Sequence, residues 1–181
     1  MNLLELGFNS IQSNLENKND LQDYTLGRII AEHKERYLVG TDDGEIEAEI
    51  TGNMRFSASG REDFPAVGDW VSLITYDSDF AIINEVLPRF SIIKRQAVGQ
   101  HGEIQIIGCN IDYAFIMQSV DRDFNMNRME RYLTICHSAK VKPIIVLTKT
   151  DLIDENKRSE LVENVKKRVE NVPVFAISNE T

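Results

Sequence analysis

Between Tyr24 and Val86 the apolar residues recur at every second position in five short runs, and no other feature of this 181-residue sequence narrows the fold as much. The runs are TLGRIIAE (25–32), RYLVGT (36–41), EIEAEIT (45–51), DWVSLITY (69–76) and DFAIINEV (79–86), punctuated by turn chemistry such as Asp43-Gly44 and Asp77-Ser78-Asp79. A period of two sends alternate side chains to opposite faces of a strand, so each run has one face to bury. Five such strands in about sixty residues predict a small closed barrel, for which an OB-fold and an SH3-like barrel are the two candidates. In the third run Ile46, Ala48 and Ile50 point one way and Glu45, Glu47 and Glu49 the other. That outward acidic face repels phosphate.

Beyond Gly99 the period changes. IDYAFIMQSV (111–120) reads as a strand, and Asn125 is placed to cap a helix whose Met126, Met129, Leu133 and Cys136 form one apolar stripe. PIIVLT (143–148) is the next strand, followed by a helix with Leu161, Val162, Val165 and Val169 inward and Glu163 four residues before Lys167. VPVFAIS (172–178) is a third strand. This β-α-β-α-β order implies a parallel sheet with right-handed crossovers. Three parallel strands leave two unpaired edges and cannot cover both faces.

Composition restricts the function classes. No apolar run approaches the roughly 20 residues of a membrane span, and the N-terminus lacks the basic start and long apolar middle of a signal peptide, so no membrane partner and a cytoplasmic location are expected. Cys109 and Cys136 lie far apart without CxxC or Cys/His spacing, which suggests neither a disulfide framework nor a metal site. The formal net charge of −9 opposes wholesale coating of nucleic acid. RNA contact then requires a local patch, for which the candidates are Arg28, Arg36, Arg55, Arg61, Arg89, Lys94 and Arg95 on the barrel and its exit strand. Trp70 is either a base-stacking aromatic or a core residue.

The segment KPIIVLTKTDLID (142–154) runs an apolar strand into Thr148, Lys149 and Asp151, at the end where open α/β sheets bind ligands. A carboxylate there can accept from both N1–H and the exocyclic amine of guanine, whereas adenine offers a lone pair at N1. Lys149 can lay its aliphatic stem along the base while its ammonium reaches ribose or loop carbonyls. Ser178, at the end of the next strand, can support Asp151 and bring a backbone N–H to the guanine O6. The competing reading is that Thr150 or Asp151 simply caps the helix that follows. No GxxxxGK[ST] occurs, and none of the ten glycines precedes a lysine, so the chain carries no phosphate loop of that type. No GxGxxG follows a strand either, which disfavours a nicotinamide site.

Five stretches, FPAVGDWV (64–71), INEVLPRFSIIKRQAVG (83–99), NIDYAFIM (110–117), DFNMNRMERYL (123–133) and PIIVLTKTDL (143–152), together resemble the bacterial ribosome small-subunit-dependent GTPase A family, RsgA/YjeQ. The resemblance implies an all-β OB-fold barrel followed by the first part of an α/β, P-loop-type, circularly permuted GTPase domain. The expected divisions are a lead-in over 1–22, the OB-fold over 23–97 and the partial GTPase domain over 98–181. It places Thr148, Lys149 and Asp151 on the guanine-recognition motif and Ser178 and Asn179 on the loop that supports the base. Asn179 stands where the family usually has alanine. The implied cofactors of the complete protein are GTP and Mg2+, with a structural Zn2+ site, and the implied partners are the small ribosomal subunit, its rRNA and guanine nucleotide. The phosphate-binding, catalytic and zinc-binding residues are expected beyond Thr181, so no catalytic or metal-binding residue is assigned and the chain alone is expected to be inactive as a GTPase. A second reading is a non-catalytic RNA-binding OB-fold module with an α/β appendage.

Overall fold

The five alternating runs close into a barrel in the computed structural model, which describes residues 2–12, 23–34, 36–77, 79–96, 104–178 and 180. A short helix α1 (Asn9–Gln12) precedes strands β1 (Thr25–His33), β2 (Arg36–Thr41) and β3 (Gly44–Ile50). Helix α2 (Gly52–Ser57), capped by the Thr51 hydroxyl accepting from Met54 N at 3.0 Å, leads to β4 (Trp70–Thr75) and β5 (Phe80–Val86). The barrel order is β1-β2-β3-β5-β4, with β1 closing antiparallel on β4 and β5 lying parallel to β3. This is the five-stranded Greek-key arrangement of the OB-fold, not an SH3-like barrel. Ile29, Val39, Ile46, Ala48, Ile50, Val71, Leu73, Ala81 and Ile83 fill it. Each large aliphatic contributes about 1.5–3 kcal/mol by leaving water. Glu45 and Glu47 stay outside as the alternation predicts, and Arg36 meets Glu47 and Glu49 across the outer face at 3.6 and 3.3 Å.

Trp70 belongs to the core. Leu3, Leu6, Phe8 and Ile11 cover it together with Leu26, Leu87 and Phe90, and the Phe8 ring meets it edge-on at 5.1 Å. The apolar start of the chain is therefore part of the barrel unit; residues 13–22 lie outside the described residues. The exit segment forms β6 (Ile92–Gln96), paired antiparallel with β7 (Ile104–Cys109). This ladder belongs to the first of two compact units, Met1–Ile111 and Asp112–Thr181. The first unit thus takes in β7, which returns to pair with β6.

In the second unit β8 (Tyr113–Ser119), helix α3 (Met126–Ser138), β9 (Lys142–Thr148), helix α4 (Glu155–Arg168) and β10 (Val174–Ala176) alternate as read from the sequence. The sheet order is β10-β9-β8, parallel throughout, with Ser119 level with Thr148. Asn125 caps α3, its side chain accepting from Arg128 N at 3.0 Å, and Met129, Leu133 and Cys136 are buried. Val165 and Val169 are buried likewise on α4 and its end. The pairing register puts Tyr113, Phe115, Met117 and Phe175 on one common face of the sheet, and all four are exposed. No helix among the described residues is long and apolar enough to cross a membrane.

Candidate guanine-binding loops

Three loops leave the carboxyl ends of β8, β9 and β10, and backbone hydrogen bonds stitch them together. Val120 N donates to Thr148 O at 3.1 Å, Thr150 N to Ile177 O at 3.2 Å and Ile177 N to Leu147 O at 2.9 Å. Lys149 turns the chain through the left-handed region, at φ 59° and ψ 36°. That conformation costs a non-glycine residue about 1–2 kcal/mol, so the surroundings must hold it. The turn buries Thr150 and leaves Asp151 exposed.

Asp151 does not cap a helix. Thr150–Leu152 is a single 3-10 turn, and α4 is capped three residues further on by Asp154, whose carboxylate accepts from Lys157 N at 3.0 Å. The helix-cap reading of Thr150 and Asp151 is overturned, because their own 3-10 turn and the extended Ile153 separate them from the helix start at Asp154. Asp151 instead accepts from the Ser178 hydroxyl at 2.5 Å, across 27 residues of chain. Ser178 also accepts from Glu180 N at 3.0 Å, which folds the last described residues back onto it. Asn179 lies outside the described residues.

The Lys149 ammonium meets a residue that the sequence reading had not singled out. It donates to Asp121 Oδ2 at 2.8 Å, while Asp121 Oδ1 accepts from Ser119 Oγ at 2.7 Å and Asp123 N at 3.1 Å. The hydrogen bond from Lys149, then those from Ser119 and Asp123, hold the Asp121 carboxyl well below the usual carboxylate range. The Lys149 ammonium is raised in turn, chiefly by that same hydrogen bond. The available signal was positional: Asp121 follows the end of β8 as Lys149 follows the end of β9, and parallel neighbours bring such ends together.

The basic candidates on the barrel unit are committed to protein partners. Arg28 donates to the carbonyls of Leu6, Gly68 and Asn110 at 2.5, 3.2 and 2.7 Å and lies over the Trp70 ring. Arg89 grips the fully buried Asp69 at 2.7 and 2.6 Å. Arg61 pairs with Glu32 at 2.6 Å, Lys94 with Glu62 at 2.7 Å and Arg36 with β3. Arg95 donates to the Gln105 side chain at 3.0 Å, and Arg55 is exposed on α2.

The sequence pattern that defines the RsgA GTPase family matches residues 86–181. The chain is 44% identical over 131 residues to a protein of Oceanobacillus iheyensis named small ribosomal subunit biogenesis GTPase RsgA 1, covering 72% of this chain and 37% of that protein. It is 42% identical over 153 residues to one of Lactiplantibacillus plantarum named small ribosomal subunit biogenesis GTPase RsgA 2, covering 84% and 42%. The chain thus spans about two-fifths of the length of these relatives. Among solved structures, YloQ, described as a circularly permuted GTPase, superposes with a TM-score of 0.65 at 21% identity over 91% of this chain and 55% of that one. YjeQ from Thermotoga maritima superposes with a TM-score of 0.64 at 18% identity over 85% and 51%. These two likenesses speak to the fold: an OB-fold barrel followed by the first part of a circularly permuted GTPase domain. By the match over more than half its length, the chain belongs to the RsgA GTPase family.

Proposed function

We propose that this chain is the N-terminal portion of a GTP-binding and GTP-hydrolysing factor of late small (30S) subunit maturation, with the barrel meeting rRNA and the strand ends of the second unit taking guanine. The observation that carries the reading is the Asp151 carboxylate, released from helix capping and aimed by Ser178 beside the Lys149 stem. Both its oxygens are acceptors, as the N1–H and amine of guanine require. Thr148 frames the mouth through its carbonyl, and Asn179 follows Ser178 in the loop that would bring a backbone donor to O6. Family membership and the names of the relatives support the ribosomal role.

Phosphoryl transfer also needs a cradle for the β- and γ-phosphates and Mg2+. Among the described residues no three His, Cys, Asp or Glu side chains gather to hold a metal ion. The 181-residue chain alone is expected to turn over no GTP, and sustained turnover by the pure chain would contradict this.

The base assignment is tested with guanosine, which needs no phosphate site. Titrated into the 15N-labelled chain, guanosine should shift the amides of 148–151 and 178 in preference to adenosine. Asp151→Asn removes one acceptor of a charge-assisted pair, so affinity should fall about 10-fold or more. Xanthosine, with a carbonyl in place of the amine, should recover part of the loss. Unaltered guanosine affinity in a folded Asn variant would remove Asp151 from the site.

A further inference from the structure

Lys149 carries a long flexible stem near three carboxylates, Asp121 and Asp123 on the neighbouring loop and Asp151 two residues on. Its ammonium is on Asp121, at 2.8 Å from Oδ2. Asp121 is itself fixed, since Ser119 Oγ and Asp123 N occupy its other oxygen. The pairing of Ser119 with Thr148 and the bond from Val120 N to Thr148 O fix the two loops side by side. Asp151, by contrast, has one oxygen on Ser178 Oγ.

We propose that Asp121 is a positioning and specificity residue of the guanine site, which anchors the Lys149 ammonium away from Asp151 and thereby keeps the base-reading carboxylate open. The inference rests on the guanine assignment above. Its physical content is a competition. An ammonium attracted to both carboxylates settles where the geometry is better, and a carboxylate held by a strand-end hydroxyl and a backbone N–H is the better prepared acceptor. With the ammonium settled there, the methylene stem of Lys149 is drawn across the mouth of the loops, where a purine ring can lie against it. A stem already fixed loses less rotamer freedom on binding. Without Asp121 the ammonium is left with Asp123 and Asp151, and a lysine drawn to Asp151 blocks the acceptor that guanine needs and adenine does not. Asp121 therefore acts through Lys149 and does not itself touch the base.

The test uses the chain as it is, with guanosine and adenosine as probes followed by NMR, in wild type and in Asp121→Asn, Asp121→Glu, Lys149→Met and the Asp121→Asn/Lys149→Met double variant. Asp121→Asn should weaken guanosine about 3- to 10-fold, less than the loss of one charge-assisted bond to the base because Asp121 acts only through Lys149, and adenosine less, so that the guanosine preference shrinks. Asp121→Glu should recover part of it. In the Lys149→Met background the ammonium is gone, and adding Asp121→Asn should change neither affinity. Equal guanosine binding by wild type and a folded Asp121→Asn variant would overturn the inference. So would an Asp121→Asn loss of the same size in the Lys149→Met background, since that would make Asp121 a support of the loop and not of the lysine. Wild type without any preference for guanosine would overturn the guanine assignment itself, an outcome distinct from a failure confined to the variants.

Discussion

The barrel unit and the α/β unit each set an aspartate against a basic side chain, and they build the two pairs in opposite ways. Asp69 is fully buried and accepts from Arg89 through both oxygens, and Ala66 N adds a bond at 2.8 Å. Two further Arg89 donors reach the carbonyls of Glu62 and Phe64 at 2.6 and 2.9 Å. Four of the five guanidinium N–H groups thus donate to protein oxygens. Lys149 and Asp121 make one contact, with side chains 57% and 25% exposed. Water screens such a pair, and it adds little to folding. The planar arginine ties distant segments of the fold, whereas the lysine fixes only its own stem, which matters to a ligand and scarcely to the fold.

The largest effect is expected at the buried pair. Asp69→Ala leaves the Arg89 guanidinium without its counter-charge in the barrel wall, at a cost of about 3–5 kcal/mol. Urea unfolding should show it as a sharply lowered midpoint. A loss no greater than that of Asp121→Ala would break the comparison. Gly68, one residue earlier, comes next. It sits at φ +93°, and a Cβ built there would lie 2.1 Å from the Cys109 carbonyl oxygen. Gly68→Ala combines an unfavourable backbone with a clash against main chain, and about 2–4 kcal/mol should be lost. Retained stability would mean that β7 can move away from the Gly68 turn.

What the sequence made legible is local. Ile46, Ala48 and Ile50 bury as their alternation predicts, and Asn125 caps α3 where its position before the apolar stripe puts it. What it concealed depends on partners far along the chain. Arg28 and Arg89 read as surface cations because nothing in the sequence shows that Asp69, 20 residues from Arg89, or the Asn110 carbonyl, 82 residues from Arg28, comes into contact with it. The Asp121–Lys149 contact spans 28 residues and became visible only once β8 and β9 were paired. Asp151 lies just past a strand end as read, but its release from capping rests on the extended Ile153 and on Asp154 taking the cap of α4, a boundary the run of Thr150, Asp151 and Asp154 leaves open in the sequence. The apolar Leu3, Leu6 and Phe8 had no evident role until Trp70 proved to lie beneath them.

The cysteines allow the two units to be compared without mutation. Cys109, fully buried in the barrel unit, has its thiol pushed up to about 12, first by burial and then by the charge of Asp69. A raised thiol favours the folded state below the unfolded value near ~8.5, and that contribution is lost as pH rises through the folded value. At pH 8 Cys109 should react with iodoacetamide only when the unit opens. Cys136 on α3 is also buried and also raised by burial. Its unit leaves Phe115, Met117 and Phe175 exposed on one sheet face, so its openings should be more frequent and its labelling faster. Faster labelling of Cys109 would reverse the ranking.

The smallest effect on stability should accompany one of the largest effects on titration. The Asp121 carboxyl is depressed chiefly by the Lys149 hydrogen bond. A depressed carboxyl contributes above its unfolded value near ~3.9, and the contribution disappears only as pH falls through the lower folded value. At pH 4, where an ordinary aspartate is about half protonated, Asp121 should therefore remain ionised and the lysine should stay on it. A carboxyl carbon NMR titration should be flat for Asp121 from pH 7 to about pH 4, and Lys149→Met should bring its midpoint back toward the ordinary range. The same substitution should leave the melting temperature at pH 7 almost unchanged, because the pair is exposed. Wild-type Asp121 titrating near ~4 would show that the ammonium does not rest there in solution. A large stability loss on Lys149→Met would show instead that the exposed pair supports the fold as Asp69 and Arg89 do.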